Sequence, residues 1–194
     1  MRISKQQREE NTKKCRALIA DNNFDAFKQL LPESSVNANG ASLMVTAILA
    51  NQPRFVEAML PTFSTTTHAR HCVYKAIVHR HYDCLKRLSS VAPQSVISDR
   101  LINAMLEHNV ECAKAMLPYY DPKADEGAVL AAAVCVGNAE FIEYLFPISP
   151  VEIALEYKTR PGGARLLELI AQDNLKHKML NEIQISKPAP SKKL

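Results

Sequence analysis

Tryptophan is absent from these 194 residues, aromatic side chains make up 6% of them, and there are five glycines. Those shortages argue against stacking platforms for sugars and against glycine-rich loops that cradle phosphates, and they fit a chain made largely of helices. No apolar run is long enough to cross a membrane, and the opening Met1-Arg2-Ile3-Ser4-Lys5 has no apolar stretch to act as a secretory signal. No membrane association is expected. Five cysteines are too sparse and odd in number for a disulfide framework. They read as reduced core thiols of a cytoplasmic protein.

Charge is also missing where a nucleic-acid binder would need it. The formal net charge of +4 resides at the ends: residues 1–16 carry six basic and two acidic side chains, and residues 171–194 carry five and two. The body between them is mildly acidic, with no basic stripe. What the chain does have is 47% apolar residues, enough for one substantial core, and an internal repeat.

Leu18-Ile19, Ala47-Ile48, Ala76-Ile77, Ala104-Met105 and Ala133-Val134 follow one another at intervals of 28 or 29 residues. Four positions after each first anchor residue stand Asn22, Asn51, Arg80, His108 and Gly137, and one further on Asn23, Gln52, His81, Asn109 and Asn138. Polar residues there end one helix and cap the next. Acids enter the first turn of that next helix at Asp25, Asp83, Glu111 and Glu140, with Arg54 the exception. Paired apolar residues such as Phe55-Val56 and Phe141-Ile142 then give it a helical stripe. Pro32, Pro61, Pro118 and Pro147 follow fourteen residues after the first anchor residue, with Ser90 the departure, and proline there stops the helix.

The spacing predicts five helix–turn–helix units in residues 15–147 and a sixth, irregular one after Ser149. Its helix is expected to open on Ser149-Pro150-Val151-Glu152, and Thr159-Arg160-Pro161-Gly162-Gly163 widens its turn. Ser4 with Gln7 makes a capping box that opens a polar first helix. One such pair cannot bury its apolar face alone, whereas a stack can.

The run Val36-Asn37-Ala38-Asn39-Gly40-Ala41 through Ala47-Ile48, and Gly137-Asn138-Ala139-Glu140-Phe141-Ile142, resemble the ankyrin repeat. The period is shorter than that family's by roughly four residues, which fall where ankyrins carry a β-hairpin finger. The resemblance implies an all-α solenoid of five to six ankyrin-like repeats with truncated or absent fingers. The layout expected is a capping segment at 1–14, the solenoid at 15–170, a helical extension at 171–185 and a flexible basic tail at 186–194.

It also implies a non-catalytic protein-binding module, an adaptor or inhibitor, of the kind that small effector or immunity-type proteins of bacteria and viruses provide. Such a protein would act in the cytoplasm or be delivered into a host's, as a monomer or weak homodimer, with no cofactor and no metal. In ankyrins the two residues that end each first helix face the concave surface. Here those in the middle units are Leu49, Ala50, Val78, His79, Leu106, Glu107, Cys135 and Val136. Either they draw an apolar line along an accessible face, or shortened fingers let neighbouring helices close over them. The two readings predict opposite exposures.

No nucleophile elbow, phosphate loop or His-Glu-x-x-His is present, so no catalytic residues are assigned. His68, His71 and Cys72 share helical spacing that zinc would accept, but a fourth ligand has no evident source. Cys84 and Cys112 occupy one slot of successive units, which marks them as core. Helical-repeat RNA binding is the alternative function. It needs stacking aromatics or arginines at one repeated slot, and none recurs.

Overall fold

At the end of each of the first five first helices the backbone steps into the left-handed region. The residues that do so are Asn22 (φ 55°), Asn51 (49°), Arg80 (56°), His108 (54°) and Gly137 (80°). In this computed structural model, which describes residues 3–185, the next residue's N–H turns back to the anchor carbonyl. Asn23 donates to Leu18, Gln52 to Ala47, His81 to Ala76, Asn109 to Ala104 and Asn138 to Ala133, at 2.8 to 3.1 Å. This closes the first helix with a bond that satisfies one of its orphan carbonyls. The second helix then starts at once, and Asn23, Asn109 and Asn138 accept from N–H groups of its first turn.

Asparagine and glycine take up left-handed geometry at little cost, and arginine does not. Replacing Arg80 with glycine is therefore expected to raise stability by about 1 kcal/mol. In urea titration the midpoint should rise with the slope unchanged. A lower midpoint would contradict the strain assigned to this turn.

The described residues are all-helical in their regular structure, without a strand. The helices are α1 (Lys5–Ala20), α2 (Phe24–Leu30), α3 (Ala38–Leu49), α4 (Pro53–Met59), α5 (Thr65–Val78) and α6 (Tyr82–Ser89). They continue as α7 (Gln94–Leu106), α8 (Val110–Met116), α9 (Ala128–Val136), α10 (Ala139–Leu145), α11 (Glu152–Glu156) and α12 (Gly163–Ile185). None is long and apolar enough to cross a membrane. The expected basic tail at 186–194 lies outside the described residues. α1 runs unbroken past residue 14 and α12 past residue 170. The capping box is half formed, because Ser4 accepts from the Gln7 N–H while the Gln7 side chain turns to Asn11.

Proline ends the second helices as expected, with a 3-10 turn added at Leu31–Glu33, Leu60–Thr62 and Leu117–Tyr119. Where Ser90 replaces proline, α6 runs one residue longer, and the Ser90 N–H makes the helical bond to Lys86 that proline could not.

The loops that follow are latched by side chains of the first helix before them. Asn37 donates to the Thr62 carbonyl and accepts from the Ser64 N–H, both at 2.7 Å. Gln94 does the same to Tyr119 and Asp121 at 2.9 Å. At the first loop two side chains share the task, Asn11 donating to Glu33 and Thr12 accepting from Ser35. The corresponding donor position in the third loop is Pro93, which has no N–H.

The chain divides into two compact units, one ending at Ala124 and one beginning at Asp125. In the first, the first helices pack on each other in chain order (α1 on α3, α3 on α5, α5 on α7), and α4, α6 and α8 form a second row. Packing is closest between α3 and α5 and thinnest between α5 and α7. Fully buried Phe27 and Phe55 meet edge to face at 4.9 Å, and Arg54, where other repeats carry an acid, lies over Phe24 and Phe55 while donating to Asn22. The anchor alanines Ala47, Ala76 and Ala104 are buried, so their small side chains admit the adjoining helices.

In the second unit the alanine- and valine-rich α9 is enclosed by α10, α11 and α12. The wider turn expected here brings the Gly162 N–H to the Val134 carbonyl at 2.9 Å. The helix start differs from expectation. α11 begins at Glu152 after Val151, and the buried Ser149 Oγ makes no capping bond. The reason is that the Pro150 carbonyl packs directly on Gly127, which holds Ser149-Pro150 in the loop.

Candidate partner-binding surface

Side chains of a helix lean back toward its N-terminus, so the final residue has no following turn to cover it and its exposure is set by the neighbouring helix. Leu49, Val78 and Leu106 hold the same slot on α3, α5 and α7 and are 47%, 53% and 55% exposed. Ala50, His79 and Glu107, the C-caps that follow them, are exposed too. Of the two readings of these positions, the accessible one holds for the first unit. In the second unit Cys135 and Val136 are half-buried.

Polar groups surround this apolar row. The His79 and His81 rings lie 5.8 Å apart, and His81 Nδ1 is 2.6 Å from the Ile48 carbonyl. A carbonyl can only accept, so Nδ1 carries the proton, and the bond ties the third turn to α3. Between α5 and α7 the thin packing leaves a hollow of about 320 Å³, bordered by Tyr74, Ile77, Val78, Arg80, Arg100 and Glu107. Arg100 lies over the Tyr74 ring at 5.4 Å, and Arg70 pairs with Asp99 across the same two helices at 2.8 Å. Sequence reasoning missed this hollow. Its signal was an arginine, Arg80, at the turn slot where other repeats carry asparagine, histidine or glycine.

The cysteines divide by burial. Cys15, Cys72, Cys84 and Cys112 are buried, and Cys135 is half-buried. Burial pushes the Cys72 thiol up to about 12 from its ordinary 9.0. It also pushes Cys84 and Cys112 to about 11, with Asp83 and Glu107 respectively adding to it, and raises Cys15 against a hydrogen bond from Ser34. An unfolded thiol ionises near 9.0 and these do so later. Each therefore contributes stability that is present below pH 9 and lost at higher pH, for Cys72, Cys84 and Cys112 as the pH rises toward 11 to 12. At pH 8 a thiol reagent should label Cys135 first, with the other four reacting only on unfolding. Rapid labelling of Cys72 in the folded protein would contradict this packing.

Cys72 faces the core and His71 faces solvent, and no three metal-binding side chains converge among the described residues. The acids Asp25, Asp83, Glu111 and Glu140 all fall in the first turns of second helices, the favourable end of the helix dipole. Comparison with protein-family models, curated proteins and solved structures finds no match.

Proposed function

We propose that this chain is a non-catalytic protein-binding module, an α-solenoid of ankyrin-like helix pairs that grips a partner protein along the ends of its first helices. The observation that carries the reading is the exposure of Leu49, Val78 and Leu106 at one repeated slot on successively packed helices. Packed helices lie about 10 Å apart, so the three side chains form a row with roughly the spacing of a partner's successive anchors. Isolated exposed leucines need no explanation; a row at a fixed register does. His79 and Glu107 supply a polar rim, and exclusion of water by such a rim is what makes a central apolar contact strong.

The test is capture of the partner from the native source, identification by mass spectrometry, and titration of the purified pair. Val78→Asp is expected to weaken binding by about 2 kcal/mol or more, and His79→Ala by less. Undiminished affinity in Val78→Asp would end the proposal. Affinity for RNA that falls steeply with salt would replace it with the nucleic-acid reading.

A further inference from the structure

We infer that the hollow between α5 and α7 receives a single carboxylate, from an acidic side chain that a partner protein presents beside an apolar one. The inference deepens the proposed function and rests on it. Two arginines from different elements border the hollow, Arg100 from within α7 and Arg80 from the turn after α5. Among the described residues neither guanidinium makes an ion pair or donates a hydrogen bond. The nearby acid Asp99 is already engaged with Arg70. Arg100 is held against Tyr74, so little side-chain freedom remains to be lost when it engages an anion.

Charge decides the class of occupant. Two arginines and Glu107 give the lining a net charge of one, which one carboxylate neutralises. A guanidinium fork fits a carboxylate with two parallel hydrogen bonds. A nucleic-acid strand would need cations recurring along the row, yet α3 has no charged residue, and Glu107 would repel successive phosphates. Val78 and Ile77 on the wall, with Leu106 exposed at the end of α7, ask for an apolar neighbour beside the acid. A second hollow shares Arg80, Glu107 and Asn109 with the first and reaches Glu111, leaving room for the partner's chain to run on. Arg80 itself is the costly choice at a left-handed turn, and strain of that kind is a pointer to function when a cheaper residue serves the sister repeats.

The experiment is a nuclear magnetic resonance titration of the full chain with two capped tripeptides, Ac-Leu-Glu-Leu-NH2 and Ac-Leu-Gln-Leu-NH2, at millimolar concentration. The acidic peptide is expected to shift the Arg100 Nε–H and the amides of Val78 and Arg80, and to bind about tenfold more tightly than its neutral twin. In Arg100→Gln that difference should vanish. Arg80→Gly should shrink it while raising stability, a combination that general damage to the fold would not produce. Equal shifts from both peptides at Val78 would overturn the carboxylate inference and leave the apolar surface standing. Silence at Leu49, Val78 and Leu106 with both peptides would overturn both. A stronger response to inorganic phosphate or to oligouridylate than to the acidic peptide would overturn the inference in favour of a phosphate site.

Discussion

Ala76→Asp is expected to destabilise the protein by about 3–5 kcal/mol, and Val78→Asp, two residues along the same helix, by less than about 1 kcal/mol. Ala76 is fully buried at an anchor position, its carbonyl engaged by the His81 N–H. A carboxylate introduced there has no partner and no water, so the fold must bury an unpaired charge or protonate it. Val78 is 53% exposed, so an aspartate in its place stays hydrated. It meets the unfavourable negative end of the α5 dipole, which Arg80 and Arg100 on the border of the same hollow offset. Urea denaturation of both variants measures the contrast, and similar losses in the two would show that the first-helix ends are covered in solution.

Gly163→Ala should cost about 2–4 kcal/mol even though alanine is ordinarily the better helix residue. A Cβ on Gly163, the first residue of α12, would overlap the carbonyl group of Lys158. That backbone has little room to yield, because Lys158 donates to Leu155 and Gly163 to Arg160 within the same turn. Gly162 is equally confined, its Cβ position lying 2.7 Å from the Val134 carbonyl oxygen. Gly40 is the control. Its φ is +68° but nothing lies within 4 Å of an added Cβ, so Gly40→Ala is expected to cost only about 1 kcal/mol of backbone strain. Thermal melts of the two variants separate steric overlap from strain, and a Gly163→Ala protein as stable as the parent would refute the close approach.

The parts of this structure that could be read from the sequence are those fixed by neighbours along the chain. The turn slots from Asn22 to Gly137 and the prolines from Pro32 onward act within four or five residues, so residue type and spacing were enough to place them. Even Ser90, the one departure, has its local consequence in the longer α6. The exposure of Leu49, Val78 and Leu106 depends instead on how far the next helix stands away, a distance that no local pattern encodes. The latches made by Asn37 and Gln94 span 25 to 27 residues, and the Gly163 contact depends on the path of a widened turn. The late start of α11 has the same origin, since Gly127 and Pro150 are distant in sequence. Ser149 looks like a cap until that contact is known.

The loop latches also govern how the seams between helices can breathe. Beside α3 and again beside α7, a side-chain amide grips both a carbonyl and an N–H of the following loop, and separating those elements would break two hydrogen bonds at once. The α5–α7 seam has Pro93 where the gripped proton would be, and an exposed Arg70–Asp99 pair, worth at most about 1 kcal/mol, spans it instead. Elasticity is thus concentrated at the seam that holds the hollow. Opening by an ångström or two there strains no latch, so this part of the surface can adjust its width to an incoming side chain while the helices on either side keep their register.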